Sequence, residues 1–257
     1  SQPGAITNLS GINTLAASSS LTAQPIVSGA FRIGSTSGEL IVDSDIDLRT
    51  SKLTVDGASD VTINGIIFTV SLPTPVPALM KVGAGKLILN NANTFDGGTT
   101  VAGGTLLANT AAPGSATGSG LVVVENGAIL GGTGNVAGSV TVNSNGTVAP
   151  GSSPGVVGTG DYSLNSGADF DVEFTGAGAV AGTNYDQVNV TGTVNLNADS
   201  GAGSNLNLLI SSFTAPGGST FTIINNDLAD AVQPAGVKFA GLAEGATVTS
   251  GVYNFTI

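Results

Sequence analysis

Five segments of this chain can be laid over one another: TTVAGGTLLA from Thr99, VVVENGAILGG from Val122, VTVNSNGTVAPG from Val140, YSLNSGADFDVEF from Tyr162 and VNVTGTVNLNA from Val188. Each reads as a strand, a tight glycine-containing turn and a second strand. They recur at about twenty-residue intervals, and a fixed period in that range signals a solenoid or a propeller. Inside them the period is two. In ADFDVEF, Phe170, Val172 and Phe174 share one face, while Asp169, Asp171 and Glu173 share the other. Turns fall at Asn126-Gly127, Asn145-Gly146 and Ser166-Gly167, where positive φ is tolerated and a sharp corner is allowed. A hairpin meander would use the same dipeptides. The regular spacing favours stacked coils instead, each strand pairing with its equivalent one turn on, about 4.8 Å away. The expected fold class is all-β, a right-handed parallel β-helix (solenoid). Val124, Ile129, Val142, Val148, Val190 and Val194 should point into one continuous apolar core.

Composition agrees. Hydrophobic residues make up 41% of the 257, only 9% are charged, and there are 39 glycines. A disordered chain would show the reverse balance of charge and hydrophobicity. No long stretch combines apolar residues at helical spacing with capping signals. Six basic against seventeen acidic residues give a net charge of -11. A polyanion is repelled, so nucleic acid is not an expected partner, and anionic lipid is disfavoured for the same reason. The longest apolar run, Val61 to Leu72, is interrupted by Asn64 and Gly65 and stops at Pro73, so no membrane insertion is expected.

One evident break interrupts the pattern. SLPTPVPALM, Ser71 to Met80, places three prolines within five residues, and proline cannot donate to a strand ladder. A provisional boundary goes there. Residues 1–78 form a β-rich N-terminal region or cap, 79–198 the solenoid, and 199–257 a C-terminal β region that can continue it.

The stretch KVGAGKLILNNANTFDGGTTVAGGTLLA from Lys81 resembles the passenger-associated repeat of bacterial autotransporters, also called the autotransporter-associated β-strand repeat. The likeness rests on Lys81, Gly83, Gly85, Leu87 and Leu89, then Asn93-Thr94, Gly97-Gly98-Thr99-Thr100 and Gly104-Thr105-Leu106. It continues through GAILGGTGNVAGSVTVNSNGTVAPGSSPGVV from Gly127 and YDQVNVTGTVNL from Tyr185. It extends less closely over FTIINN at Phe221 and FAGLAEGATVTSGVYNFTI at Phe239. The first seventy-odd residues carry only generic β patterning. The resemblance implies an exported, elongated β-helix of the bacterial surface. Many such proteins run on into a membrane barrel, and no barrel sequence is present here. Ser1 in place of methionine fits a mature chain whose signal peptide has been removed.

Chemistry has little to work with. The chain has no cysteine and no histidine, which removes thiolate sites, Ser-His-Asp and Cys-His constellations and ordinary zinc sites. Parallel β-helices include polysaccharide lyases and hydrolases, and a lyase needs clustered acids with a basic residue to take the proton. The basic residues are Arg32, Arg49, Lys52, Lys81, Lys86 and Lys238, and none sits beside a carboxylate cluster within the repeats. Two acidic ladders, Asp43/Asp45/Asp47 and Asp169/Asp171/Glu173, could suggest calcium. Residues i and i+2 on a strand lie about 7 Å apart, too far for one ion without a folding loop, so both read as solvated strand faces. GGTGNV at Gly131 approaches the calcium-binding nonapeptide, but Val136 stands where an aspartate is needed. GAGKL at Gly83 lacks the full phosphate-loop spacing and a following helix. No catalytic residue, cofactor or metal ligand is expected, and polysaccharide-active enzyme stands third among the readings.

The first reading is a structural protein of the bacterial surface or extracellular matrix that assembles with itself. The second is an adhesin or glycan-binding passenger using loops Pro113 to Gly120 or Gly176 to Asn184. The candidate for self-assembly is the last strand, GVYNFTI. It places Val252, Asn254 and Thr256 on one face and Tyr253, Phe255 and Ile257 on the other, with no turn after it. An uncapped strand invites pairing, so the expected partner is a second copy, with a cell-surface glycan as the alternative.

Overall fold

In the computed structural model the described residues are 5–17, 21–22, 31–70, 78–227, 232, 239–243 and 245–256. They contain strands and no helix, arranged as nine stacked coils. The first three coils hold β1 (Ala5–Asn8), β2 (Ile12–Leu15) and β3 (Leu21–Thr22), then β4 (Phe31–Ser35), β5 (Glu39–Val42) and β6 (Ile46–Asp47), then β7 (Leu53–Asp56), β8 (Asp60–Ile63) and β9 (Ile67–Phe68). The fourth and fifth have two strands each: β10 (Leu79–Lys81) and β11 (Lys86–Leu89), then β12 (Thr99–Val101) and β13 (Gly104–Ala108). The sixth holds β14 (Val122–Val124), β15 (Ala128–Gly132) and β16 (Asn135–Val136), and the seventh β17 (Val140–Val142), β18 (Thr147–Pro150) and β19 (Val156–Thr159). The eighth holds β20 (Tyr162–Leu164), β21 (Asp169–Ala177) and β22 (Gln187–Val190), and the ninth β23 (Val194–Asn195), β24 (Asn205–Thr214) and β25 (Ile224–Asn226). An antiparallel hairpin, β26 (Thr247–Ser250) and β27 (Tyr253–Thr256), follows.

The first strands of all nine coils form one parallel sheet and the second strands another; shorter sheets make the third wall. This is a parallel β-solenoid. With about 4.8 Å per step, nine coils make a rod about 40 Å long. The strand alternation expected from the sequence holds, and equivalent inward residues stack in rows. One row in the first sheet runs Ile6, Ile33, Val55, Lys81, Val101, Val124, Val142 and Leu164. One in the second runs Leu40, Val61, Leu87, Leu106, Leu130, Val148 and Phe170. The aliphatic members of both rows from Ile33 and Leu40 onward are buried and belong to one core.

Three sequence expectations need adjustment. Ile129 does not point inward. Gly127, at φ 73, turns the corner so that Ala128 is the first buried residue, and the alternation puts Leu130 inside and Ile129 on the outer face. The segment from Val188 is out of phase with the other four, because its turn joins β22 of the third wall to β23 of the first sheet. Residues 71–77 lie outside the described residues, but the sheets continue across them: β7 pairs with β10, and β8 with β11. The coils of 1–78 and 79–198 thus share two sheets, and β23 to β25 carry the stack into 199–257. Finally, Asp43, Asp45 and Asp47 do not line one strand, since β5 ends at Val42 and a corner intervenes before β6.

The third wall has no strand in coils four and five, where isolated backbone bonds and one side chain link the coils. Asn93 is 5% exposed. Its Oδ1 accepts from the Ile67 N–H at 2.7 Å, and its Nδ2 donates to the Ala116 carbonyl at 2.5 Å. A carboxamide has the donor and acceptor of a peptide unit, so Asn93 adds two inter-coil bonds to the backbone bonds Thr94 N–H to Ile67 C=O and Asn93 N–H to Ser115 C=O made beside it. Outside, Asn64 donates to Asp43, Asn90 to Asn64 and Asn109 to Asn90 at 2.7–3.2 Å, a ladder along one corner.

Candidate functional site

The most distinctive surface lies at the C-terminal end. β21 and β24 are nine and ten residues long, so their ladder outruns the core it borders. The surplus length continues the alternation to Phe174 on β21, and on β24 a register shift with Ser212 at φ 53 brings Phe213 inward, both rings being buried beyond the main rows. The hairpin folds onto this extension. Gly251, at φ 61, and Val252 form its two-residue turn, the tight connection that suits a twisted antiparallel pair. Val252 at the tip is 89% exposed.

Tyr253 and Phe255 face inward and are half-buried, while Asn254 and Thr256 face out. The Phe255 ring centroid lies 5.0 Å from that of Phe174. Phe221 stands edge-on to Phe174 at 5.2 Å and Phe213 to Tyr253 at 5.3 Å, geometries that the ring quadrupoles favour. The Tyr253 hydroxyl donates to the Phe213 carbonyl, and Ser250 Oγ donates to the Leu208 carbonyl at 2.7 Å. A cleft of about 460 Å³ remains beside the cluster, floored by Phe174, Phe213, Phe221 and Phe255 and walled by Pro216 to Thr220 and by β27 itself. Among the described residues its lining contains no ionisable group except the Tyr253 phenol.

The sequence-derived assembly strand is therefore placed as follows. Tyr253, Asn254, Phe255 and Thr256 form β27, Val252 sits in the turn before it, and Ile257 lies outside the described residues. The faces are those the alternation gave. The strand does not stand alone, however: β26 occupies one of its edges, and among the described residues the other edge is unpaired. The receiving aromatics, Phe174, Phe213 and Phe221, were not anticipated. The available signal was that six of the nine phenylalanines fall after residue 169.

The other candidates are spread apart. Asp43 accepts from Asn64 and Asp45 from the Ile66 N–H, while Asp47 is buried and meets Arg49. Asp169 and Asp171 accept from Asn205 and Asn207 of the next coil, and Glu173 from Ser211. Among the described residues no three carboxylates gather as a metal-binding set. Arg32 pairs with Asp56 and holds that carboxyl below its usual range, and Lys238 lies outside the described residues. In the loop 113–120, Ser115 to Gly118 are buried in the third wall, whereas 176–183 protrude beside Asn184.

Two buried ionisable groups also escaped the sequence. Lys81 points into the core row yet is 1% exposed, and its Nζ donates to the carbonyls of Val82, Gly83 and Gly103 at 2.8–3.0 Å. Burial pulls its pKa down to about 8. Gly104 leaves room for it, because a Cβ there would come within 2.8 Å of Nζ. Asp186 is 3% exposed and accepts from the N–H groups of Gly155 and Glu173, on neighbouring coils, at 2.7 and 2.8 Å. Burial, reinforced by the charges of Glu173 and Asp171, raises its pKa to about 6 against those two hydrogen bonds.

Residues 79–108 match the model of the passenger-associated-transport-repeat. The chain thus carries the autotransporter-associated repeat, here spanning β10 to β13, with Lys81 and Asn93 both inside the matched stretch. No curated protein and no solved structure matches the chain.

Proposed function

We propose that this chain is a structural passenger of the bacterial surface or matrix, a rigid rod that assembles with itself into a fibre. The observation that carries this reading is the stack itself, nine coils with continuous interior rows that include the passenger-associated repeat. The repeat supports export. The continuous rows support a mechanical role, because each coil is braced only by its neighbours and the whole behaves as one stiff element. The solvent-facing acids support solubility of the rod's flanks, which leaves its ends as the places where copies meet.

Purified full chain, followed by negative-stain imaging and sedimentation across a hundredfold concentration range, tests this. Filaments that lengthen with concentration are expected, and removal of residues 251–257 should leave a folded chain that no longer polymerises. A chain that stays monomeric throughout and binds an oligosaccharide through the 176–184 loop would establish the adhesin reading instead.

A further inference from the structure

The two ends of the rod differ in a way that suggests how one copy meets the next. At the first coil, β1 and β2 each pair on one side only among the described residues, β1 with β4 and β2 with β5. Among the described residues no strand pairs with their outer edges, and an unpaired edge is the feature by which strands recruit another chain. At the corner between them, Leu9 is 74% and Ile12 71% exposed. From Thr7 to Leu15 the sequence TNLSGINTL contains no charged residue.

The opposite end offers a match. The cleft beside β27 is lined by four phenylalanines, and among the described residues no charged side chain lines it. β27 lines it, and among the described residues one edge of that strand is unpaired. An apolar floor beside a free strand edge is the arrangement that binds an extended segment by strand addition: main-chain bonds supply affinity, and alternate side chains fill the floor. On a chain of net charge -11, two copies repel wherever their acidic flanks face each other. An uncharged edge and an uncharged cleft can meet without that cost.

We propose that the first coil of one copy docks on the C-terminal cleft of the next, β2 pairing along β27 with Ile12 or Leu9 seated among Phe174, Phe213, Phe221 and Phe255. The contact uses different surfaces on the two partners, so it does not close on itself and propagates into a filament. It rests on the self-assembly reading above and specifies the two surfaces.

Two variants separate the ends without touching the core. Ile12→Lys places a charge on an exposed position whose ladder neighbour is Glu39. Gly217→Trp fills the cleft from a glycine with open space around it and an ordinary backbone. Each variant alone should keep the wild-type circular dichroism and melting temperature and sediment as a monomer where the wild type forms filaments. An equimolar mixture should give dimers and nothing longer, since one intact first coil meets one intact cleft and both remaining ends are blocked. If the wild type is itself monomeric at millimolar concentration, self-assembly fails and this contact with it. If the wild type polymerises and either variant polymerises equally well, self-assembly stands and this contact is overturned.

Discussion

Lys81 and Asp186 are opposite solutions to placing an ionisable group where water is scarce. The Lys81 ammonium trades hydration for three carbonyls at one corner. Lys81→Met keeps the row filled but removes the donor from those carbonyls, and we expect a loss of about 1–2 kcal/mol. Lys81→Ala adds a void and should cost about 3–4 kcal/mol; denaturant titration of both variants checks the order. Asp186 has its folded pKa raised to about 6 from 3.8. The native state therefore holds a proton that the unfolded chain has released between those values, and stability falls as pH rises through that window. Lowering the pH from 7.5 to 5 should stabilise the protein by about 1–2 kcal/mol through this group. In Asp186→Asn the stability-against-pH slope between pH 5 and 6 should fall by about 0.7 of a proton; an unchanged slope would show that Asp186 is not the group responsible. Raised Asp171 adds in the same direction and remains in that variant.

At the scale of elements, the hairpin is the least integrated part of the fold. Among the described residues it joins no solenoid sheet, and the Ser250 and Tyr253 hydroxyls and its inward rings attach it to β24 and the cluster. Phe255→Ala should therefore open residues 247–256 to hydrogen exchange by at least tenfold and leave coils two to seven protected, since local opening need not pass through the stack. Alternation, a short-range property, made the inward rows and the two faces of β27 legible in the sequence. Ile129 was misplaced because a turn sets the phase of the strand after it, and Asn126-Gly127 fits either phase. Lys81 was hidden because a charged residue signals an outward position until its carbonyl partners are known. The third wall at Asn93 was illegible because isolated backbone bonds and a buried carboxamide, not a patterned strand, link the coils there. The cleft was invisible because Phe174, Phe213, Phe221 and Phe255 meet only through long-range packing.

For the whole molecule, the direction of the ladders has a mechanical consequence. Inter-coil hydrogen bonds lie along the rod axis, and the first and ninth coils sit at opposite ends of the stack. Tension applied between those ends loads each interface by peeling, so the bonds give way a few at a time instead of being sheared together. A freed coil such as that from Ile33 to Val55 releases about 70 Å of extended chain. Single-molecule stretching of the full chain should give a staircase of short extensions, each the length of one coil, with force set by the weakest remaining interface. A single abrupt release of the entire contour would show instead that the stack yields as one body. In the staircase regime a surface rod becomes a shock absorber: it lengthens under load, dissipates work at every step, and rewinds one coil at a time when the load is removed.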